Sequence, residues 1–198
     1  MEKHGIFDSP TTAAHCVWLE DEDFDILKRH GVTVACCPAS NLKLASGYAN
    51  VPKMLENGIN VALGTDGAAS NNNLNIMQDM YLFGVVYKGY FRDPTIITPA
   101  EVLHAATRAG ALSQGRDDSG LLAVGMRADL CVLNTDTPQF TPMTSAACNV
   151  VYAAQGADIR MTMVDGEVLY RDGEFKTIDI EKVKAEVQRR TDSILSRL

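Results

Sequence analysis

Between residues 11 and 90 one pattern occurs three times in succession: an apolar run of strand length, then turn-rich or polar residues, then a stretch with helix signals. In the first unit, TTAAHCV at 11–17 is followed by EDEDFDILKRHG at 20–31, whose acidic start and terminal Gly31 suit the two ends of a helix. In the second, GVTVACC at 31–37 reads as a buried strand, ASNLKLASG at 39–47 as a loop, and VPKMLENG at 51–58 as a short helix with Pro52 near its start. In the third, INVALG at 59–64 is the strand and TDGAASNNN at 65–73 the loop. LNIMQDMYLFGVVYKGY at 74–90 is then a helix with apolar residues at helical spacing. Strands that are apolar along nearly their whole length, each followed by a helix, predict a parallel sheet covered on both faces, hence α/β architecture.

The pattern changes further along. TPAEVLHAATRAGAL at 98–112 carries a capping signature, Thr98 three residues before Glu101, and predicts one helix ending at the loop SQGRDDSG. Between Leu121 and Phe175 the runs ADLCVLN, CNVVYAA, RMTMVDG and EVLYRDG are β-type and separated by turn residues, which predicts an antiparallel β-unit. The final IDIEKVKAEVQRRTDSILSRL predicts a charged amphipathic surface helix. Segment boundaries are therefore expected at 1–119, 120–178 and 179–198.

Charge and cysteine usage narrow the function classes. With 18 Lys+Arg against 25 Asp+Glu the formal charge is −7, and no basic run is present to neutralise a phosphate backbone, so no nucleic-acid partner is expected. Cys16, Cys36, Cys37, Cys131 and Cys148 form an odd set without CxxC spacing, as reduced thiols packed as small hydrophobes would. No apolar run approaches the roughly 18 residues of a membrane span, and no charged-then-apolar leader opens the chain. The expectation is a soluble cytoplasmic protein without a membrane partner.

Three stretches carry a family likeness: AAHCVWL at 13–19, PASNLKLASG at 38–47 and LGTDGAASNN at 63–72. In this order and spacing they resemble the amidohydrolase superfamily, most closely its 5′-methylthioadenosine and S-adenosylhomocysteine deaminases, with triazine hydrolases as cousins. The tail agrees, since GLLAVGMRADLCVLN and MVDGEVLYRDGEF resemble strands of the small β-sandwich beside that family's barrel. The resemblance implies the C-terminal portion of a TIM-like (β/α)8 metal-dependent hydrolase barrel, its strands six to eight, plus part of the β-sandwich. It implies a divalent metal, Zn2+ or another such as Fe2+. Asp66 is implied as metal ligand and proton acceptor, His15 as the catalytic and substrate-binding histidine that positions the hydrolytic water, and Ser70 as a substrate-binding residue. The family's HxH pair, its strand-five histidine and its glutamate acid have no counterpart here, so the metal site is incomplete in this chain. Trp18 stands where many relatives carry histidine, and so does Cys36; both bear on substrate identity.

The residues themselves agree only in part. A catalytic zinc takes about three protein ligands and one open position, and one Asp with one His falls short of that count. His15 and Asp66 do fall at the C-terminal ends of parallel strands, where barrel active sites gather. Taken alone, His15 reads as a hydrogen-bonded core residue and Asp66 as a turn aspartate; their flanking motifs favour function. Ser40 and Asn41 read as residues bracing their own loop through backbone bonds. Adjacent strand residues point to opposite faces, so Cys36 and Cys37 are not expected to share a metal. Met54, Met77 and Met80 read as core, His104 as structural, His4 as a terminal residue, and His30 as a helix-end residue. The expected function is hydrolytic deamination of an adenosine-type thioether, a purine-nucleoside small molecule, in a full-length parent, with the 198-residue chain inactive by itself. Guanine deamination, triazine dechlorination, or a non-catalytic fragment or split-enzyme half are the alternatives. An open sheet implies a homo-oligomer or a missing N-terminal half as partner.

Overall fold

The structure, a computed structural model, describes residues 1–197. Two compact units divide the chain: residues 1–126 with 135–158, and residues 127–134 with those from 159 onward. The segment 120–178 is thus shared between them.

In the first unit the three repeats fold as α/β. Strands β1 (Thr12–Ala14), β2 (Thr33–Cys36) and β3 (Val61–Leu63) form a parallel sheet in that order, with Ala13 opposite Val34 and Val34 opposite Val61. Val34 and Cys36 are fully buried and all three residues of β3 are buried, as strands covered on both faces require. Helix α1 (Asp21–Arg29) connects β1 to β2, opened by the Asp23 carboxylate accepting the Glu20 N–H at 2.8 Å. It buries Phe24 and Leu27.

The stretch after β2, expected as loop, instead forms α2 (Pro38–Lys43). Pro38 sits at its first position, where a missing N–H is harmless. Helix α3 (Val51–Glu56) follows, capped by Asn50 Oδ1 accepting the Lys53 N–H at 3.2 Å. After β3 come a single turn of helix, α4 (Ala68–Asn71), and the long α5 (Ile76–Phe91). Met77, Met80, Phe83 and Tyr87 form the buried stripe of α5, and Met54 is buried too, so the methionines are core as expected.

The Thr98 capping box is present, with the Thr98 N–H donating to Glu101 at 2.6 Å and the Glu101 N–H donating to Thr98 Oγ1 at 3.4 Å. The single helix expected after it is two, α6 (Pro99–Ala106) and α7 (Arg108–Ser113). The break is at Thr107, whose hydroxyl bonds back to the Leu103 carbonyl at 2.6 Å. Gly120 lies so close there that a Cβ on it would stand 2.7 Å from Arg108 Cα, and Arg108 donates to the carbonyls of Asp117 and Ser119. A second correction concerns CNVVYAA, which forms helix α8 (Ala146–Tyr152) rather than a strand. Ser145 caps it by accepting the Cys148 N–H at 3.3 Å. Packing overrides the β-branched valines: Val151 is buried, and Gly84 on α5 leaves room for Val151 and Tyr152, which a Cβ would meet at 3.3 and 3.0 Å.

The second unit is an antiparallel sheet of β4 (Leu130–Leu133), β5 (Ile159–Val164), β6 (Glu167–Arg171) and β7 (Glu174–Phe175), in that order. Both tight turns are Asp-Gly pairs with positive φ at each residue, Asp165–Gly166 and Asp172–Gly173, the geometry that two-residue hairpins favour. Helix α9 (Ile180–Leu195) ends the unit, with Asp179 accepting the Lys182 N–H at 3.0 Å. Among the described residues no helix is long and apolar enough to cross a membrane.

Candidate active site

Parallel strands in register bring their C-terminal ends to one edge of the sheet, and each strand here delivers polar side chains to that edge. His15 lies one residue past β1, Ser40 and Asn41 on the first turns of α2 after β2, and Asp66 three residues past β3. His15 keeps the sheet's pairing by donating its N–H to the Ala35 carbonyl at 2.9 Å, but at φ 67 its chain turns sharply; Cys16 (φ 46) and Asp66 (φ 60) are also left-handed. Non-glycine residues in that region sit there only when surroundings hold them, and such residues cluster at functional sites. The turn sends the His15 ring toward the next strand's loop. His15 Nδ1 lies 2.8 Å from Asn41 Oδ1, and Nε2 lies 3.8 Å from Asp66 Oδ2. His15, Ser40, Asn41 and Asp66 line one cleft of about 420 Å³ with Val17, Trp18, Leu44 and Ser46.

The carboxylate is well supplied with donors. Ser40 Oγ donates to Asp66 Oδ2 at 2.6 Å and the Gly67 N–H to Oδ1 at 2.7 Å. Ser40, then Ser70, then Gly67 hold the Asp66 carboxyl down to about 2, with the nearby His15 adding least. Asp66 is therefore an anion at any pH near neutrality. Ser70 does not line the cleft; its hydroxyl bonds to the Gly67 carbonyl at 3.1 Å while also favouring the Asp66 anion. Burial pushes the Cys36 thiol up to about 12 and that of Cys37 to about 11, so both are protonated near neutral pH. Cys36 Sγ instead pairs with Tyr87 Oη at 3.2 Å.

Ser40 and Asn41 were read from sequence as bracing their own loop. Their side chains instead reach residues 26 positions away, one to Asp66 and one to His15. The available signal was their place directly after a buried strand, the same place that marks His15 and Asp66. Asp79 on α5 had no signal beyond being a carboxylate inside an apolar helical stripe. It is sealed from solvent and joins the two loops, accepting the Ala39 N–H at 3.1 Å and the Asn71 side-chain amide at 3.1 Å, while that amide also donates to the Thr65 carbonyl at 2.8 Å. Lys43 adds a second tie by bonding to Asn72 Oδ1.

As a metal-binding set the residues present are partial. Asp66 is a hard oxygen donor and His15 Nε2 a nitrogen donor nearby, but among the described residues no three His, Cys, Asp or Glu side chains gather as a metal site. A catalytic zinc takes about three protein ligands, and these two side chains fall short of that count.

The chain's sequence matches the amidohydrolase family over residues 1–169. A 5-methylthioadenosine/S-adenosylhomocysteine deaminase from Acetivibrio thermocellus is 46% identical over 98% of this chain and 45% of its own length. A 5′-deoxyadenosine deaminase from Methanosarcina mazei is 42% identical over all of this chain and 46% of its own length. Among solved structures, an adenosine deaminase from Xanthomonas campestris with bound zinc superposes with TM-score 0.90 at 30% identity, covering 93% of this chain and 42% of that one. An atrazine chlorohydrolase from Arthrobacter aurescens, complexed with zinc, gives TM-score 0.87 at 28% identity over 95% of this chain and 42% of its own. The chain thus spans less than half the length of the relatives it matches.

Proposed function

The chain belongs to the amidohydrolase family, and from that premise we propose that it carries part of the active site of a metal-dependent hydrolytic deaminase acting on adenosine-type thioethers. The observation that supports this most directly is the convergence of His15 and Asp66, delivered by β1 and β3, on one cleft at the C-terminal edge of a parallel sheet. On this reading β1, β2 and β3 are the last three strands of a (β/α)8 barrel within residues 1–119, and β4 to β7 are part of a small β-sandwich within 120–178. The remaining metal ligands then come from the other barrel strands, carried by an N-terminal half or by a partner polypeptide.

Deamination replaces the exocyclic amino group at C6 of the purine by oxygen: the ring carbon gains a bond to water oxygen, the C–N bond breaks, and ammonia leaves. Asp66 would be a carboxylate ligand of the divalent ion, zinc or ferrous iron. When bound, that ion supplies Lewis acidity and a strong oxygen nucleophile near neutral pH. Asp66, anionic because Ser40 and Gly67 donate to it, accepts the proton that the attacking water gives up. His15 Nε2, 3.8 Å from Asp66 Oδ2, orients that water by accepting from it. Ser70, whose hydroxyl bonds to the Gly67 carbonyl beside Asp66, would turn from that bond to reach the substrate. Identities of 42 to 46% to deaminases of 5′-modified adenosines support a nucleoside substrate.

The test is ammonia release from methylthioadenosine, S-adenosylhomocysteine, guanine and a chlorotriazine by the full-length protein or reconstituted complex, with zinc content measured alongside. Turnover of an adenosine thioether supports the reading, and its absence with both thioethers overturns it. The 198-residue chain alone is expected to bind zinc weakly, having one corner of the site.

A further inference from the structure

We infer that Asn41 is a positioning residue that fixes which nitrogen of His15 carries the proton. The inference rests on reading His15 as a site residue, but its test needs no turnover. Asn41 is almost sealed from solvent, at 4% exposure, and its backbone is tethered on both sides: its N–H donates to the Cys37 carbonyl at 3.0 Å and its carbonyl accepts the Ser46 N–H at 2.8 Å. Its main chain is therefore fixed, and its side-chain oxygen stands 2.8 Å from His15 Nδ1. A carbonyl oxygen only accepts, so the Nδ1 that meets it carries the hydrogen, and in the neutral ring Nε2 is left with its lone pair. His15 has little freedom to escape this pairing. Its left-handed backbone, locked by its N–H to the Ala35 carbonyl, aims the ring across the end of β2.

Nε2 then faces Asp66 Oδ2 across 3.8 Å as a second acceptor. Two converging acceptors select an O–H or N–H donor for the space between them, a water or an amino group, and disfavour a carbonyl or an anion. Asn41 thereby sets what the cleft recognises by acting through His15, the usual way in which the bond at one imidazole nitrogen decides the state of the other.

The experiment is long-range 1H–15N correlation of the imidazoles in the 15N-labelled chain at about pH 8.5, above the ordinary imidazole pKa of about 6.5. The four histidines keep the spectrum simple, and His15→Gln identifies the pair of signals. In the wild type His15 Nδ1 is expected at the protonated, pyrrole-type shift and Nε2 at the pyridine-type shift, opposite to the preference of a free neutral histidine side chain. Asn41→Ala should return His15 to the Nε2–H form, and Asn41→Asp, which keeps an acceptor oxygen, should retain the wild-type pattern. A wild-type His15 protonated at Nε2, or a folded Asn41→Ala chain with an unmoved pattern, overturns the inference. The wild-type spectrum decides even if Asn41→Ala does not fold. A failed deaminase assay with the expected tautomer sinks the functional reading alone, whereas an active enzyme with Nε2–H His15 sinks this one alone.

Discussion

In the first unit Val34, Cys36, Val51 and Met54 are fully sealed from solvent, as is the carboxylate-bearing Asp79, and every buried hydrophobic among the described residues lies there. In the second, no described residue is buried: the four-stranded sheet and α9 hold only intermediate and exposed positions. The first unit therefore has the apolar burial that stabilises a fold by itself. The second has mainly hydrogen-bonded ladders, Asp-Gly turns and exposed ion pairs such as Arg160–Asp172 at 2.6 Å, interactions individually worth little in water. The strained residues of the candidate site, His15 and Asp66, sit on the better-packed unit. A rigid core is what can hold non-glycine residues in left-handed conformations and keep two side chains converging on one cleft.

The sharpest test of this division is catalytic. In a full-length or reconstituted active enzyme, Asp66→Asn should lower kcat by about 10² or more, since it keeps the shape but removes the anion and proton acceptor. His15→Ala should cost on the order of 10² while leaving metal content nearly intact. Arg160→Gln on the second unit should leave kcat unchanged within error. Retention of more than about a tenth of activity by Asp66→Asn would contradict its role; metal loss in His15→Ala would make His15 a ligand.

Stability should divide the same way. Phe83, 1% exposed on α5, should cost about 3–5 kcal/mol when truncated to alanine. Val187, 58% exposed on α9, should change stability by less than about 0.5 kcal/mol on the same substitution. Urea denaturation of the three chains measures both, and a large loss from Val187→Ala would mean that α9 is covered in solution by something that gives it a core.

What was legible in the sequence follows from the range of the interactions involved. The three strands and the Thr98–Glu101 cap are local patterns, and both appear as read. The places of His15 and Asp66 at strand ends were legible because strand ends are local too, while their roles came only from the resemblance. The roles of Ser40 and Asn41 were not, because their partners are 26 residues away and only the parallel register brings them together. The same holds for the helix break at Thr107, which depends on Gly120, and for α8, whose valines turn helical against Gly84. Asp79 was invisible because nothing in an apolar helix announces that two distant loops will converge on its one carboxylate.

The smallest expected effect is a pair of opposite pH trends within the first unit. Asp66 is held at about 2 by Ser40, Ser70 and Gly67, below the roughly 3.9 of an unfolded aspartate. Its folded pKa is depressed, so the stability it contributes is present above the unfolded value and is lost as pH falls from about 4 towards 2. Asp79 is shifted the other way: burial raises its carboxyl despite the bonds from Ala39 and Asn71. The folded state therefore holds that proton more tightly than the unfolded chain, and ionised Asp79 costs stability that is regained as pH falls through its raised value. Relative to Asp66→Asn, the wild type should lose advantage on acidification from about pH 5 to 2. Relative to Asp79→Asn it should gain, whatever constant offset the lost Asn71 contact adds. Denaturation midpoints of the three chains across that range give the two slopes. Slopes of the same sign would mean that the donors around Asp66, or the seal around Asp79, do not persist in solution. The two loops would then not be held together as the candidate site requires.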